Sequence, residues 1–530
     1  MANHSTMLRL SEVALSLDED ESLLPQKVAE YLRLSVDQIF DWRIVRCGID
    51  ARRKGRVLRV YTVEFSTKDD QGLLQVAAGD RRLKIVTPQP CAPELVMSKH
   101  PQRVVVVGMG PAGLFAALWL ARAGNQVVLL ERGRRVEQRV ADVEAFWAGG
   151  PLQTNSNVQF GEGGAGTFSD GKLTTRVKHS LTRPVLQTLV DFGASEDILI
   201  QAKPHIGTDR LRQLLKRFRY ALEELGVELR FESCLTDIQR HANRVQSVTV
   251  NGNESIPCDA LILAIGHSAR DTYALLEKKG FQLQAKPFAV GVRVEHPAEL
   301  INRIQYGFTH PQQHRLPAAD YRLTYNDCQT GRGVYSFCMC PGGQVVQSSS
   351  DAGMVVVNGM SDYRRDATFS NSALVVSVRP EDFANNSPLA GVRFQQYWER
   401  QAFIAGGENY RVPAQNMLDF LGQKGGALAS SCRPGIHPAQ LSDALPDFVV
   451  HGLRQALPHF ERKMRGFVTA EATLTGIESR TSAPLRILRD QHGQALDWSG
   501  VYPVGEGAGY AGGIMSAAMD GINAALAVCG

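Results

Sequence analysis

Apolar positions along this chain recur with two periods. Val104–Val107 are four valines in a row, a run that predicts a short strand buried on both faces. Residues 112–123 repeat their apolar positions at helical spacing, and Gly124 ends that pattern. Val127–Leu130 is a second buried strand, closed by Glu131. A long helical stretch follows at Asp209–Leu225, and then Val227–Glu232, Cys234–Gln239 and Val245–Asn251 predict a meander of strands. Ala260–Ala264, followed by Ile265, Gly266 and His267, predicts a strand that rejoins the parallel sheet, with Gly266 letting the backbone pass near a nucleotide. The runs Ala289–Val294, Val334–Met339 and Leu374–Val378 predict strands of a separate sheet. Val501–Val504 is a last strand, and Ser516–Ala527 a helix of small residues. Before residue 97 the pattern is that of a small α+β module. Met7–Leu17 alternates, Ser22–Leu34 is helical, and Trp42–Arg46 and Arg56–Phe65 are strands joined by a turn over Ile49–Gly55.

The join between the first strand and helix reads Gly108-Met109-Gly110-Pro111-Ala112-Gly113. Gly108 permits a tight turn, Gly110 lets the backbone approach a pyrophosphate, and Gly113 lets helix and strand pack closely. Pro111 falls at the first helical position, where its missing amide costs nothing. The helix N-terminus offers amides and a partial positive charge to phosphates. Glu131 is placed to accept hydrogen bonds from both ribose hydroxyls and to repel a 2′-phosphate. A lone GxGxxG is weak, but strand, helix and terminal acid together predict a βαβ unit that binds an ADP moiety. The glycines from Gly505 to Gly513, ahead of the last helix, predict a second anion or dipole site.

A chain of 530 residues is too long for one core, so several domains are expected. The reading is an N-terminal module over 1–97, a linker over 98–103, a nucleotide-binding domain over 104–281 completed by 467–530, and a sheet-containing substrate or cap domain over 282–466. Hydrophobic content of 44% and charged content of 21% fit a soluble globular protein. The net charge of +4 excludes a global field aimed at nucleic acid. Arg52, Arg53 and Lys54 form a local basic turn, flanked by Arg46, Arg56 and Arg59. It reads either as a patch for RNA or phosphate or as a solvated hairpin tip. Nine scattered cysteines read as free thiols of a reducing cytoplasm. The start lacks a basic segment followed by an apolar one, so no signal peptide is expected. No apolar run reaches the ~20 residues of a membrane span. A cytoplasmic protein with no membrane partner is therefore expected.

Strand-GxGxxG-helix-strand-Glu at one end and strand-Gly-Glu-Gly-helix at the other resemble the glutathione-reductase-type FAD flavoproteins. More closely, the chain resembles a bacterial family of FAD-dependent dehydrogenases. Four segments carry this: Gly161–Leu173 (GEGGAGTFSDGKL), Ser336–Gly343 (SFCMCPGG), Glu478–Pro484 (ESRTSAP) and Gly505–Ile514 (GEGAGYAGGI). The resemblance implies an α/β fold, a Rossmann-like FAD-binding domain with an inserted mixed-sheet substrate domain, and FAD as cofactor. It implies that Gly108, Gly110, Pro111, Ala112, Gly113, Glu131 and Arg132 hold the ADP half. It places Gly163, Gly164, Gly166, Thr167 and Ser169 along the pyrophosphate and the redox-active edge of the flavin, with Leu235 at adenine and Gly266 nearby. Gly505, Glu506, Gly513 and Ile514 would hold the ribityl and pyrimidine end. The superfamily has Asp at the position of Glu506, and the extra methylene displaces the carboxylate.

The implied activity is FAD-dependent oxidoreduction of a small organic substrate. No second strand-GxGxxG-helix-strand-acid unit is present, so either NAD(P)H docks transiently as electron donor or the substrate itself reduces the flavin. The rivals are a flavin-dependent RNA-modifying enzyme that uses the basic N-terminal turn and a non-catalytic FAD sensor. The helix after Gly513 and Lys172 are candidates to stabilise a reduced flavin. Cys338-Met339-Cys340 on an extended strand would point both thiols to one face. They read as a redox pair, a substrate-facing thiol or two structural cysteines. No second Cys or His pair stands at metal-ligand spacing, so no metal is expected. Arg480 and Arg379 are candidates to hold an acidic substrate group. His267 is a candidate acid/base or cofactor contact.

Overall fold

The computed structural model describes residues 7–53, 55–68, 79–86, 97–175 and 179–530, together with positions 73 and 93. Five parallel strands form the nucleotide-binding sheet, in the order Val501–Pro503, Ala260–Leu263, Arg103–Val107, Gln126–Leu130 and Glu228–Arg230. The valine run is buried because its residues alternate between two covered faces. Val104 and Val106 pack with the helices Pro111–Arg122 and Ile514–Cys529. Val105 and Val107 pack with Leu235, Ile238, Val245 and Val248 of a three-stranded antiparallel meander.

That meander consists of Leu235–His241, Arg244–Val250 and Glu254–Pro257. The expected first member, Glu228–Arg230, instead edges the parallel sheet beside Gln126–Leu130. Three residues carry too little pattern to show which sheet edge they complete. The two helices close tightly on each other at Gly521. A Cβ there would sit 2.0 Å from the Ala112 carbonyl oxygen. Both helices thus start at the carboxyl ends of the strands, side by side.

The second sheet has seven strands. Their order is Thr324–Asn326, Gly333–Cys340, Phe369–Val378, Phe288–Pro297, Thr473–Glu478, Val412–Asn416 and Ile436–Pro438. All neighbours are antiparallel except the last pair. The helix Asp447–Lys463 packs on it through Val449, Leu453, Leu457 and Phe460. The cap therefore does not end at 466. Thr473–Glu478 is wholly buried between two cap strands, and only after it does the chain return to the cofactor sheet. This strand is short and adjoins the motif assigned to the cofactor side, which hid its sheet.

The N-terminal module is an antiparallel sheet in the order Phe40–Asp50, Leu58–Ser66, Leu8–Leu15, Leu83–Ile85, covered by the helix Leu24–Leu32. Cys47 exchanges backbone hydrogen bonds with Ile200 and Ala202, and Val57 is buried in the cap core. The module is thus fastened to both other parts. Among the described residues no helix is long and apolar enough to cross a membrane.

Candidate functional site

A cleft of about 1230 Å³ runs from the carboxyl end of the parallel sheet to the cap strand Gly333–Cys340. At one end lies Glu131, buried at the tip of its strand. Its Oε1 accepts from the Gly133 and Gly161 amides at 2.9 and 3.0 Å, and its Oε2 from the Met109 amide at 2.9 Å. A carboxylate offers about four lone-pair directions, so one on Oε2 is left for a ligand. Arg132 lies 4.5 Å over the Phe160 ring and pairs with Asp271. Leu235 and Ser233 complete this end.

In the middle, Gly108 has φ +101°, and a Cβ on it would lie 2.3 Å from the Ala264 carbonyl oxygen. Gly110, Pro111 and Ala112 bring the helix N-terminus to the cleft, opposite Gly164, Gly166 and Ser169. Gly113 packs instead of lining the cleft: its Cβ would be 1.9 Å from the Gly108 carbonyl oxygen. Two expected liners turn away. Gly163 faces Leu215 and Thr167, and Thr167 is buried with its hydroxyl on the Glu162 carbonyl. The reason is the tight turn Gly164–Phe168, where successive residues face different directions.

Beneath this turn lies a residue the sequence reading missed. Arg139 is fully buried and donates to the carbonyls of Asn157, Val158 and Glu162 and to the Thr167 hydroxyl, at 2.7–3.0 Å. Burial lowers its pKa to about 10, which leaves it charged at neutral pH. Its signal was an arginine on the apolar face of the Val136–Trp147 helix, in step with Val136, Val143 and Phe146.

At the far end Gly505, Glu506, Gly513 and Ile514 border the cleft, and the Gly513 end of the last helix opens onto it. The Gly505 amide donates to Asp520 at 2.7 Å, which pairs with Arg489. Burial pushes the Glu506 carboxyl up to about 7. His267 borders the cleft too, its Nδ1 2.9 Å from the Ser268 hydroxyl. Burial, with Arg480 and Arg270 nearby, lowers its pKa to about 4, so it is neutral at pH 7.

Ser336, Phe337, Cys338, Tyr321, Arg365 and Arg480 form the cap wall. The strand does not hold Cys338 and Cys340 on one face. It bulges between Phe337 and Cys340, and Cys338 takes φ +43°. Cys338 is half-buried at the cleft and Cys340 is buried behind it. Lys172, from the cofactor side, pairs with Asp170 at 3.1 Å and donates to the Met339 carbonyl. Arg480 is not a free anion clamp. Its Nε, Nη1 and Nη2 donate to Glu399, Ser268, Ser350 and Asp351, so all five N–H groups of the guanidinium are taken up by the protein. Arg379 lies outside the cleft and bonds the Gly331 carbonyl at 2.6 Å. Arg52 forks onto Asp50 at the exposed turn, away from the cleft; Lys54 lies outside the described residues. Among the described residues no cluster of three metal-binding side chains occurs.

Added Cβ atoms at Gly266, Gly512 and Gly513 would meet open space, whereas those at Gly108, Gly113 and Gly521 would clash with backbone. The glycines thus divide into ones that close the scaffold and ones that keep a cradle clear. That cradle, two helix N-termini and the Glu131 lone pair fit a long dinucleotide with an anionic centre.

Comparison with known proteins agrees. A model described as FAD dependent oxidoreductase matches residues 103–264. One described as FAD-dependent protein, C-terminal domain-like, matches 287–481, and a domain of unknown function, DUF8436, matches 7–66. The protein is an FAD-dependent oxidoreductase. It belongs to one family with an uncharacterized protein of Clostridium beijerinckii, to which it is 45% identical over 525 residues, 98% of either chain. Kynurenine 3-monooxygenase of Salinispora arenicola is 30% identical over 181 residues, 32% of this chain and 37% of that one. The crystal structure of CtdE in complex with FAD covers 81% of this chain and 84% of its own, at 12% identity and a TM-score of 0.32.

Proposed function

We propose that FAD lies along the cleft in the glutathione-reductase-type arrangement and that a small organic substrate binds between its flavin end and the cap wall. The ADP half rests on Glu131, Arg132 and Leu235. The pyrophosphate meets the amides at Gly110–Ala112 and the backbone at Gly164–Gly166. The ribityl and pyrimidine end lies at Gly505, Glu506, Gly513 and Ile514. When bound, FAD supplies hydride or electron-pair transfer. The protein's part is orientation and charge. The N-terminus of the Ile514–Cys529 helix and the Lys172 ammonium place positive potential where negative charge develops. Glu506, with its carboxyl near neutrality, and neutral His267 hold protons at the same end. Arg480 and Glu399 fix the cap against the cofactor side, and Arg480 has no N–H group left to donate to a substrate.

One observation carries this reading: a single cleft is continuous from Glu131 to Cys338. The test is the visible spectrum of the purified protein, followed by anaerobic addition of NADH and then NADPH. A flavin spectrum bleached by either nucleotide assigns NAD(P)H as electron donor. A flavin reduced by neither assigns reduction to the organic substrate. A protein without flavin that regains none on adding FAD refutes the reading.

A further inference from the structure

We propose that Cys338 and Cys340 are a dithiol–disulfide couple in the cap wall, which passes an electron pair from a small dithiol substrate to FAD. The inference rests on the reading that the flavin end of FAD lies at Glu506 and Gly513. It gives that site a substrate class.

Three observations point to it. The first is position. Cys338 borders the cleft together with Glu506, Gly513 and Lys172, while Cys340 lies buried directly behind it. The second is backbone. A regular strand would carry both side chains out on one face. Here a bulge with φ +43° at a non-glycine residue breaks that alternation, so that Cys338 borders the cleft while Cys340 is buried, a conformation strained backbone adopts where surroundings impose it. The Cys340 thiol donates to the Cys338 carbonyl at 3.6 Å, and both cysteines are free. The third is charge. Two cations from opposite sides clamp the segment. Lys172 holds the Met339 carbonyl. The fully buried Arg293 donates to the Cys338 carbonyl at 3.2 Å and lies 4.0 Å from the Cys340 sulfur, itself anchored on Glu478 and Asn371.

These surroundings sort the two thiols. The interaction with Cys340, then Lys172 and Arg293, shift Cys338 well below the ordinary thiol range and so favour its thiolate. The bond to Cys338 and burial hold Cys340 well above it, protonated. A thiolate that faces the cleft, backed by a protonated partner, is the arrangement that thiol–disulfide exchange uses.

The step balances. As the Sγ–Sγ bond forms, the Cys340 S–H bond breaks, and the pair gives up two electrons and one proton to FAD. A dithiol substrate then attacks the Cys338 sulfur as thiolate and opens that bond. It leaves as its own disulfide, which restores thiolate and thiol and releases one proton. FAD is the oxidant in the first half and the substrate the reductant in the second.

The experiment uses the FAD-loaded protein and dithiothreitol as the dithiol. The protein is oxidised, denatured in iodoacetamide and digested, and the peptide with Cys338 and Cys340 is weighed before and after dithiothreitol. We expect neither cysteine alkylated before reduction and both after. Anaerobic dithionite titration should consume two more electron equivalents per flavin in the oxidised wild type than in Cys338→Ser. Dithiothreitol should bleach the flavin at least ~10-fold faster in the wild type than in that variant. Both cysteines alkylated in the oxidised wild type, with a normal flavin spectrum, would overturn the couple and leave the FAD reading standing. The mass measurement needs no variant, so misfolding of Cys338→Ser cannot blur it. A wild type with no flavin at all would overturn both.

Discussion

Glu131 concentrates much of the cofactor chemistry in one carboxylate. It ties three backbone amides around the cleft and keeps one lone pair free for a ligand. Glu131→Ala should therefore weaken FAD retention by about 1–3 kcal/mol, and somewhat more if the freed amides shift. Flavin content after dialysis measures it, and undiminished affinity would count against the site. Glu506 gives a pH signature of definite sign. Its folded carboxyl titrates at about 7 against an ordinary 4.5. The folded state thus holds a proton that the unfolded chain has released, and stability falls as pH rises through that window. Glu506→Gln removes this penalty. In urea unfolding of the holoprotein, the variant should gain on the wild type between about pH 5 and pH 8. A gap between the two that does not change with pH would contradict the assignment. Neither the GxGxxG glycines nor Glu131 needed a structure to be found, because their residue types and spacing are themselves the requirement. Arg139 and Arg480 were harder. A buried arginine looks like any arginine in a sequence until its acceptors are known.

At the scale of elements, the site depends on two contacts that aim backbone rather than side chains at the ligand. The Gly521–Ala112 contact sets two helices side by side so that both N-termini reach one cleft. Gly521→Leu should force the helices apart and lower FAD content together with thermal stability; a variant that keeps full flavin would show the approach to be dispensable. The second contact is the Arg139 clamp under residues 157–168. Arg139→Met would leave three carbonyls without their donor, so a loss of about 3 kcal/mol or more is expected, with loss of flavin. The small-residue character of the last helix was visible in sequence. Its partner was not, since more than four hundred positions separate Gly521 from Ala112.

At the scale of the molecule, cofactor side and cap are joined by a buried ionic cluster. Glu399 lies between Arg270 and Arg480 at 2.7–3.0 Å, and Arg480 reaches Ser268 on one side and Ser350 and Asp351 on the other. The two guanidinium groups hold the Glu399 carboxyl down to about 2 against the burial that opposes them. Its contribution is present above the ordinary 4.5 and fades as pH falls toward 2. Glu399→Gln would leave two buried cations short of their anion, a loss of about 3–5 kcal/mol. Calorimetry of the holoprotein checks this, and an unchanged melting temperature would show the cluster to be neutral for stability.

The sequence by itself determined the parallel βαβ core, the two glycine-rich helix starts, a site for an ADP-bearing cofactor and the existence of a separate cap. Each of these rests on short-range rules: period, turn conformation and the spacing of a phosphate-binding loop. Only the tertiary structure decided that Thr473–Glu478 belongs to the cap, that Gly163 and Thr167 face away from the cleft, and that Arg480 is spent on Glu399. It also decided that Cys338 fronts the cleft while Cys340 stands behind it. Those outcomes depend on which distant chain supplies a hydrogen-bond partner or a sheet edge. Nothing in a residue's own neighbourhood encodes that.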